Sequence, residues 1–283
     1  MPNLTDPKFI RALCERHGFT LSKGFGQNFI VNPGICPKMI EAAGIDQNTG
    51  VLEIGPGIGV LTKEAALRAG KVAAIEVDSR LYPVLDETLA EFDNVQIIPG
   101  DVLKLDLAAL IREQFDGLKV AVVANLPYYI TSPILMKLLE DELPIESITA
   151  MVQKEAADRI CAKPGSRETG AISLAVRYWA EPKILFTVSP GSFTPPPKVT
   201  SAVIQLAVRK TPPVTPKSPA RMFGVIKAAF GQRRKTAVNA ISAGLSLPKA
   251  SVEQAVATLQ KGPLVRPEQL TLEDFAQLSD LLP

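Results

Sequence analysis

The sequence predicts an α/β chain: a parallel sheet covered by helices on both faces, followed by a small all-helical domain. Three observations carry this expectation. From Val51 to Cys161, short apolar runs alternate with amphipathic stretches, the pattern of strands joined by crossover helices. Pro212, Pro213, Pro216 and Pro219 then interrupt the pattern and mark a linker. Beyond it only helical character returns. The expected domains are 1–211, with 1–45 as a helical and looped extension over the ligand site, and 212–283.

In chain order, Asp6-Pro7 before Lys8 to His17 reads as an N-cap with proline in the first helical turn. Leu21 to Ile30, punctuated by Gly24 and Gly26, is too irregular for a helix and reads as a loop, of the kind that often covers a ligand. A helix over 37–43 leads into the main domain. Strands are expected over 51–54, 72–75, 95–98, 120–124 and 147–152. Helices are expected over 61–68, 80–91, 107–114, 133–140 and 154–161. Residues 171–179 read as a helix. Residues 183–188 and 201–208 read as two strands forming a closing hairpin on the sheet edge, joined by the proline-rich 189–198. After the linker, helical character covers 221–243, 250–259 and 271–281.

Composition narrows the function class. Of 283 residues, 46% are hydrophobic and 21% charged, as in ordinary globular domains. No apolar run approaches the ~20 residues of a membrane span, and residues 1–20 carry charges with no signal-peptide core. Cys14, Cys36 and Cys161 lack ligand spacing, and His17 is the only histidine. This points to reduced thiols in a cytoplasm, with no metal site. Residues 1–182 hold 18 basic and 24 acidic side chains, a net of −6, whereas residues 183–283 hold 13 and 5, a net of +8. A basic C-terminal third suggests a polyanionic partner.

Two motifs carry chemistry. Glu53-Ile54-Gly55-Pro56-Gly57-Ile58-Gly59 lies between a strand and a helix, where glycines allow the backbone to approach a ligand. Val60 stands where the dinucleotide fingerprint would place its third glycine, so that fingerprint fits poorly. Glu76 and Asp101 end the next two strands, where ligands bind in open α/β sheets. The fourth strand ends in Asn125-Leu126-Pro127-Tyr128. Proline stiffens this turn and pushes Leu126 to an extended conformation. The Asn125 carboxamide, the Leu126 carbonyl and the Tyr128 ring are thereby held in one arrangement.

The glycine motif resembles motif I of the class I S-adenosyl-L-methionine-dependent methyltransferases, which implies their Rossmann-like sheet. The resemblance implies that Glu76 binds the ribose hydroxyls and Asp101 the adenine amine. An Asn-Leu-Pro-Tyr turn resembles that of the amino-methylating group. Together with Gly26 to Phe29 and Phe193-Thr194-Pro195-Pro196-Pro197-Lys198-Val199, these motifs resemble the ribosomal RNA adenine N6-dimethyltransferases over most of the chain. The cofactor contacts so implied are Asn28, the Ile30 backbone, Gly55, Gly57, Glu76, Asp101 and Asn125. Asn125 and Leu126 would bind the amine protons, and Tyr128 and Phe193 would flank a flipped base. Arg221, Lys227, Arg233, Arg234 and Lys235 would meet RNA phosphates, the last three beyond Phe223, Ile226 and Phe230 on one amphipathic helix. Such contacts weaken steeply with salt.

The details of the Asn-Leu-Pro-Tyr turn, the Phe193 stretch and Phe230 to Lys235 resemble the housekeeping branch. The resemblance then implies dimethylation of two adjacent adenines in the 3′-terminal hairpin loop of 16S rRNA, within the immature 30S subunit, by a monomer. Three alternatives stand beside it: a resistance-type enzyme acting on 23S rRNA, which shares the pocket; an RNA-binding assembly or transcription factor whose methylation is incidental or lost; and a small-molecule or protein methyltransferase, which leaves the basic C-terminal domain unexplained. Tyr129 is a local difference from bacterial relatives with no assigned consequence.

Overall fold

The computed structural model describes residues 3–18, 28–232 and 234–283. The sheet has seven strands: β2 (Thr49–Ile54), β3 (Lys71–Glu76), β4 (Val95–Pro99), β5 (Lys119–Asn125), β6 (Ser147–Gln153), β7 (Ala180–Val188) and β9 (Ser201–Val208). Their order is β4-β3-β2-β5-β6-β9-β7. The pairs β3–β4, β2–β3, β2–β5 and β5–β6 are parallel, and β9 runs antiparallel to β6. The expected hairpin therefore closes the sheet as β9 and the edge strand β7. A separate two-stranded pair joins β1 (Phe29–Ile30) to β8 (Phe193–Thr194).

Burial explains why the central strands were legible. All six residues of β2 are buried, as are five consecutive residues in each of β5 and β6. Strands covered on both faces read as continuous apolar runs. The edge strands β4 and β7 are only partly covered and mix polar residues accordingly. The helices are α1 (Pro7–Arg16), α2 (Ile35–Ala42), α3 (Val60–Ala66), α4 (Tyr82–Thr88), α5 (Leu107–Gln114), α6 (Thr131–Glu140), α7 (Lys154–Ile160) and α8 (Ala171–Trp179). At the start of α1, Asp6 accepts the Lys8 N–H at 2.9 Å, with Pro7 in the first turn. The helix expected over 80–91 opens as a 3₁₀ turn, Ser79–Leu81, before α4. Pro83 brings no N–H to that first turn, and the Asp78 carboxylate caps it through the Arg80 N–H.

After the linker come α9 (Pro219–Phe230), α10 (Ala237–Leu245), α11 (Lys249–Thr258) and α12 (Leu272–Leu281). The single helix expected over 221–243 is corrected to two. Gly231 ends α9, and the Thr236 hydroxyl starts α10 by accepting the Asn239 N–H at 3.4 Å. A glycine stop followed by a threonine cap outweighs the continuing helical period. Arg234 and Lys235 therefore sit in the connecting turn rather than on an amphipathic helix.

The chain divides into two compact units. One comprises residues 1–157 and 183–208, the other 158–182 and 209–283. The break near 208 falls close to the expected 211, but the second unit also takes in 158–182. The physical reason is α8: Leu174 and Tyr178 share a core with Met222, Ile226, Val238 and Phe275. Among the described residues, no helix is long and apolar enough to cross a membrane.

Candidate active site

The site lies at the carboxyl end of the sheet, where the strand order reverses between β2 and β5. The chain moves from β2 outward to β3 and β4, then returns to β5 on the other side. Loops leaving neighbouring strands in opposite directions open a crevice there. The crevice is a cleft of about 1020 Å³, open to solvent. It is walled by the glycine loop after β2, by Glu76 and Val77 after β3, by Gly100 to Val102 after β4, and by Asn125, Pro127 and Tyr129 after β5. Asn28, Phe29 and Ile30 line it as well, so the β1 part of the N-terminal extension meets the cleft. Gly26 and Gln27 of the same motif lie outside the described residues.

The loop after β2 needs its glycines. Gly55 has φ +71° and Gly57 φ +61°, a left-handed conformation that strains any other residue. A Cβ on Gly57 would lie 3.4 Å from Phe29 Cε1, whereas one on Gly55 would meet nothing within 4 Å. Gly55 is tied down through its N–H, which donates to the Ile75 carbonyl at 2.9 Å. The loop thus exposes bare backbone to the cleft at Gly55 and packs on Phe29 at Gly57.

Three carboxylates line the same cleft, each in a different setting. Glu76 is buried, and its carboxylate accepts the N–H of Asp78 at 2.8 Å and those of Gly57 and Val77. Burial raises its pKa, partly offset by these three donors. Asp101 is more exposed; it accepts the Leu103 N–H at 3.0 Å, with the Lys104 ammonium 3.6 Å away. Glu53 is 1% exposed, and its Oε2 has no hydrogen-bond partner among the described residues. Burial, against a lowering contribution from Thr62, pushes the Glu53 carboxyl up to about 8, with Glu76 adding repulsion. Buried and protonated below about pH 8, Glu53 presents no charge to the cleft. Acids at the ends of two neighbouring strands, beside the bare backbone of Gly55, fit the hydroxyl and amine donors of a nucleoside.

Glu53 makes stability depend on pH in a defined direction. Its carboxyl titrates near 4.5 when unfolded and near 8 when folded. Between those values the folded chain holds a proton that the unfolded chain has lost. The contribution is complete below pH 4.5 and lost as pH rises through about 8. Thermal unfolding without ligand should therefore show a midpoint that falls between pH 5 and 8. Glu53→Gln should flatten that fall, leaving the smaller slope due to Glu76. Identical pH profiles for the two proteins would contradict this.

The turn after β5 is held by its neighbours. Asn125 lies opposite Met151 of β6, and the Leu126 N–H donates to the Met151 carbonyl at 3.1 Å. The Pro127 carbonyl accepts the Ile130 N–H at 3.2 Å and the Thr131 hydroxyl at 3.1 Å. The Asn125 Nδ2 donates to the Asn28 carbonyl at 3.4 Å, which leaves Oδ1 as the acceptor of this cleft-lining amide. The turn is stiff, and Asn125 and Pro127 reach the cleft as expected. Leu126 is buried.

Neither of the two aromatic residues expected to flank a base lines this cleft. The Tyr128 hydroxyl is 2.7 Å from Ser201 Oγ at the start of β9, and its ring is not among the cleft walls. Burial raises its pKa, with the Ser201 hydrogen bond opposing. Phe193 is 4% exposed and packs in the core with Ile30, its neighbour across β1 and β8. The structure thus gives Phe193 a packing position away from the cleft wall, because strand pairing turns its ring into the core. Sequence reasoning assigned no role to Glu53 or Tyr129, both on the wall. Glu53 lies within the quoted motif, and its strand-end position was the available signal.

In the second unit, Lys227, Arg234 and Lys235 are exposed, as phosphate contacts require. Arg233 lies outside the described residues. Arg221 is exposed as well, and its Nη2 donates to the carbonyls of Leu282 and Pro283. It straps the last residues to α9 and is already engaged within the chain.

Comparison with known proteins agrees with this geometry. The model of the ribosomal RNA adenine dimethylase family matches residues 18–282. A ribosomal RNA small subunit methyltransferase A from Shouchella clausii is 47% identical, covering 99% of this chain and 96% of that protein. One of the same name from Alkaliphilus oremlandii is 44% identical, covering 100% and 99%. Among solved structures, a dimethyladenosine transferase from Plasmodium falciparum is 26% identical with TM-score 0.71, covering 88% of this chain and 95% of that one. The 23S rRNA methyltransferase ErmE is 26% identical with TM-score 0.70, covering 90% and 99%. With a family model spanning nearly its whole length and the acids, glycine loop and Asn125 turn gathered in one cleft, the chain belongs to the ribosomal RNA adenine dimethylase family.

Proposed function

We propose that the protein methylates the N6 amines of two adjacent adenines in the 3′-terminal hairpin loop of 16S rRNA, acting as a monomer on immature small subunits. The observation that carries this reading is the Asn125 amide, oriented by the Asn28 carbonyl in the same cleft as Glu76 and Asp101. S-adenosylmethionine, when bound, supplies an electrophilic methyl group on sulfur. Glu76 would accept hydrogen bonds from the cofactor's ribose hydroxyls and Asp101 from its adenine amine, with Asn28 and the Gly55 backbone lining the same cleft.

At the acceptor end, an exocyclic adenine amine is a weak nucleophile because its lone pair is delocalised into the ring. Asn125 Oδ1 accepts one amine proton and the Leu126 carbonyl the other, which favours a pyramidal nitrogen with its lone pair free. This is catalysis by orientation and fixed dipoles. It needs no strong base, since the methylated, positively charged nitrogen readily sheds its proton. The target base leaves its stack to reach this depth. Lys227, Arg234 and Lys235, with Arg233 between them in sequence, supply phosphate contacts whose strength falls with salt.

Whole-chain identity of 44–47% to small-subunit methyltransferases, against 26% to the 23S enzyme, favours the small subunit over the resistance-type reading. Incubation with labelled cofactor and either naked rRNA or immature small and large subunits tests it. Label should map to two adjacent adenines near the 3′ end of 16S rRNA. Label confined to 23S rRNA would replace the substrate, and cofactor binding without transfer would favour an assembly factor.

A further inference from the structure

Tyr129 is an anomaly in this chain. Among the described residues it is the one exposed aromatic side chain, 65% accessible, while every other described aromatic ring is buried or half-buried. It also lines the cleft, next to Pro127 and Ile130. An exposed ring at the rim of a ligand cleft leaves apolar area uncovered beside a functional site. Its backbone is fixed on both sides, by the Pro127 carbonyl's bonds to Ile130 and Thr131 and by the start of α6. A ring on such a footing is pre-positioned.

Its place in the topology identifies the occupant. Glu76 and Asp101 follow β3 and β4, on one side of β2, whereas Tyr129 follows β5 on the other side, four residues after Asn125. Tyr129 thus belongs to the acceptor side of the cleft. Of the other two aromatic residues near that side, Phe193 is packed in the core and Tyr128 is half-buried with its hydroxyl held at Ser201. A π-face open to solvent fits a π-face that has lost its own stack.

We propose that Tyr129 is a positioning residue that stacks on the purine base adjacent to the one being methylated. The proposal rests on the RNA reading above. When one of two neighbouring adenines enters the cleft, the other loses a stacking partner at the rim, where the Tyr129 ring replaces it. The hydroxyl is not required, so phenylalanine should substitute.

The test uses the full chain, unmodified immature small subunits and, separately, S-adenosylhomocysteine. Tyr129→Ala should raise KM for the particles about 5- to 150-fold, the range of base–aromatic stacking, with kcat changed far less. Tyr129→Phe should restore wild-type KM, and both variants should bind S-adenosylhomocysteine as wild type does. Unchanged KM in Tyr129→Ala, or failure of Tyr129→Phe to restore it, overturns the proposal. So does a loss of S-adenosylhomocysteine affinity with KM for particles unchanged, which would place the ring over the cofactor. A wild-type protein that binds no RNA removes both this proposal and the RNA reading; wild-type transfer with an indifferent Tyr129→Ala removes this one alone.

Discussion

Asn125→Ala should lower the methyl-transfer rate constant by about 10²- to 10³-fold, the usual cost of removing one preorganised polar group from a reacting centre. Single-turnover methylation of small subunits measures it. The reason lies in what alanine removes. Nδ2 holds the amide to the Asn28 carbonyl at 3.4 Å, and Oδ1 is the acceptor left for the substrate amine. Alanine loses both. The cation-bearing turn between α9 and α10 is untouched, so particle affinity should stay within about threefold. The stiffness of the turn survives, because the Leu126–Met151 and Pro127–Ile130 bonds are backbone. A rate within tenfold of wild type would refute the role assigned to this amide. Asn125→Asp separates acceptor from donor: it keeps an oxygen but sets a carboxylate against the Asn28 carbonyl.

Glu76→Ala should weaken S-adenosylhomocysteine binding by about 10- to 150-fold, the value of one hydrogen bond to a charged acceptor. Calorimetric titration measures it directly. Burial alone would favour a neutral Glu76, but three backbone donors, Gly57, Val77 and Asp78, oppose that. These donors hold the carboxylate at the strand end and join it to the glycine loop through Gly57. Alanine strands all three N–H groups, so the loop loses its tie as well as the ligand its acceptor. Glu76→Gln distinguishes the two effects. It keeps one oxygen for the loop donors, should retain thermal stability closer to wild type, and should still bind less tightly. Affinity within threefold of wild type in the alanine variant would exclude Glu76 from the cofactor site.

How much could be read without coordinates depended on burial. The strands β2, β5 and β6 were legible because residues covered on both faces are mostly apolar, Glu53 in β2 being the charged exception. Helix α8 was legible to the residue, from the 3.6-residue period between Gly170 and Ala180. The run from Arg221 to Ala243 misled, because an amphipathic period continues through Gly231 and only the Thr236 cap reveals a new helix. The same limit applied to Arg221. Sequence shows a cation in a basic region, and only the folded unit shows its Nη2 donating to the carbonyls of Leu282 and Pro283.

The sequence by itself determined the fold class, the positions of Glu76, Asp101 and Asn125 at successive strand ends, and the family. The fold class and those positions follow from local rules, namely period, glycine placement and proline stiffness, which act over a few residues; the family came from the resemblance of the motifs to known ones. Tertiary structure alone decided which side chains face the cleft. It buried Phe193 through the β1–β8 pairing, turned Tyr128 to Ser201, left Tyr129 exposed at the rim, and orphaned one oxygen of Glu53. Side-chain direction at a strand end is set by partners distant in sequence: Ser201 lies 73 residues from Tyr128, and Asn28 lies 97 from Asn125. No local pattern encodes those meetings.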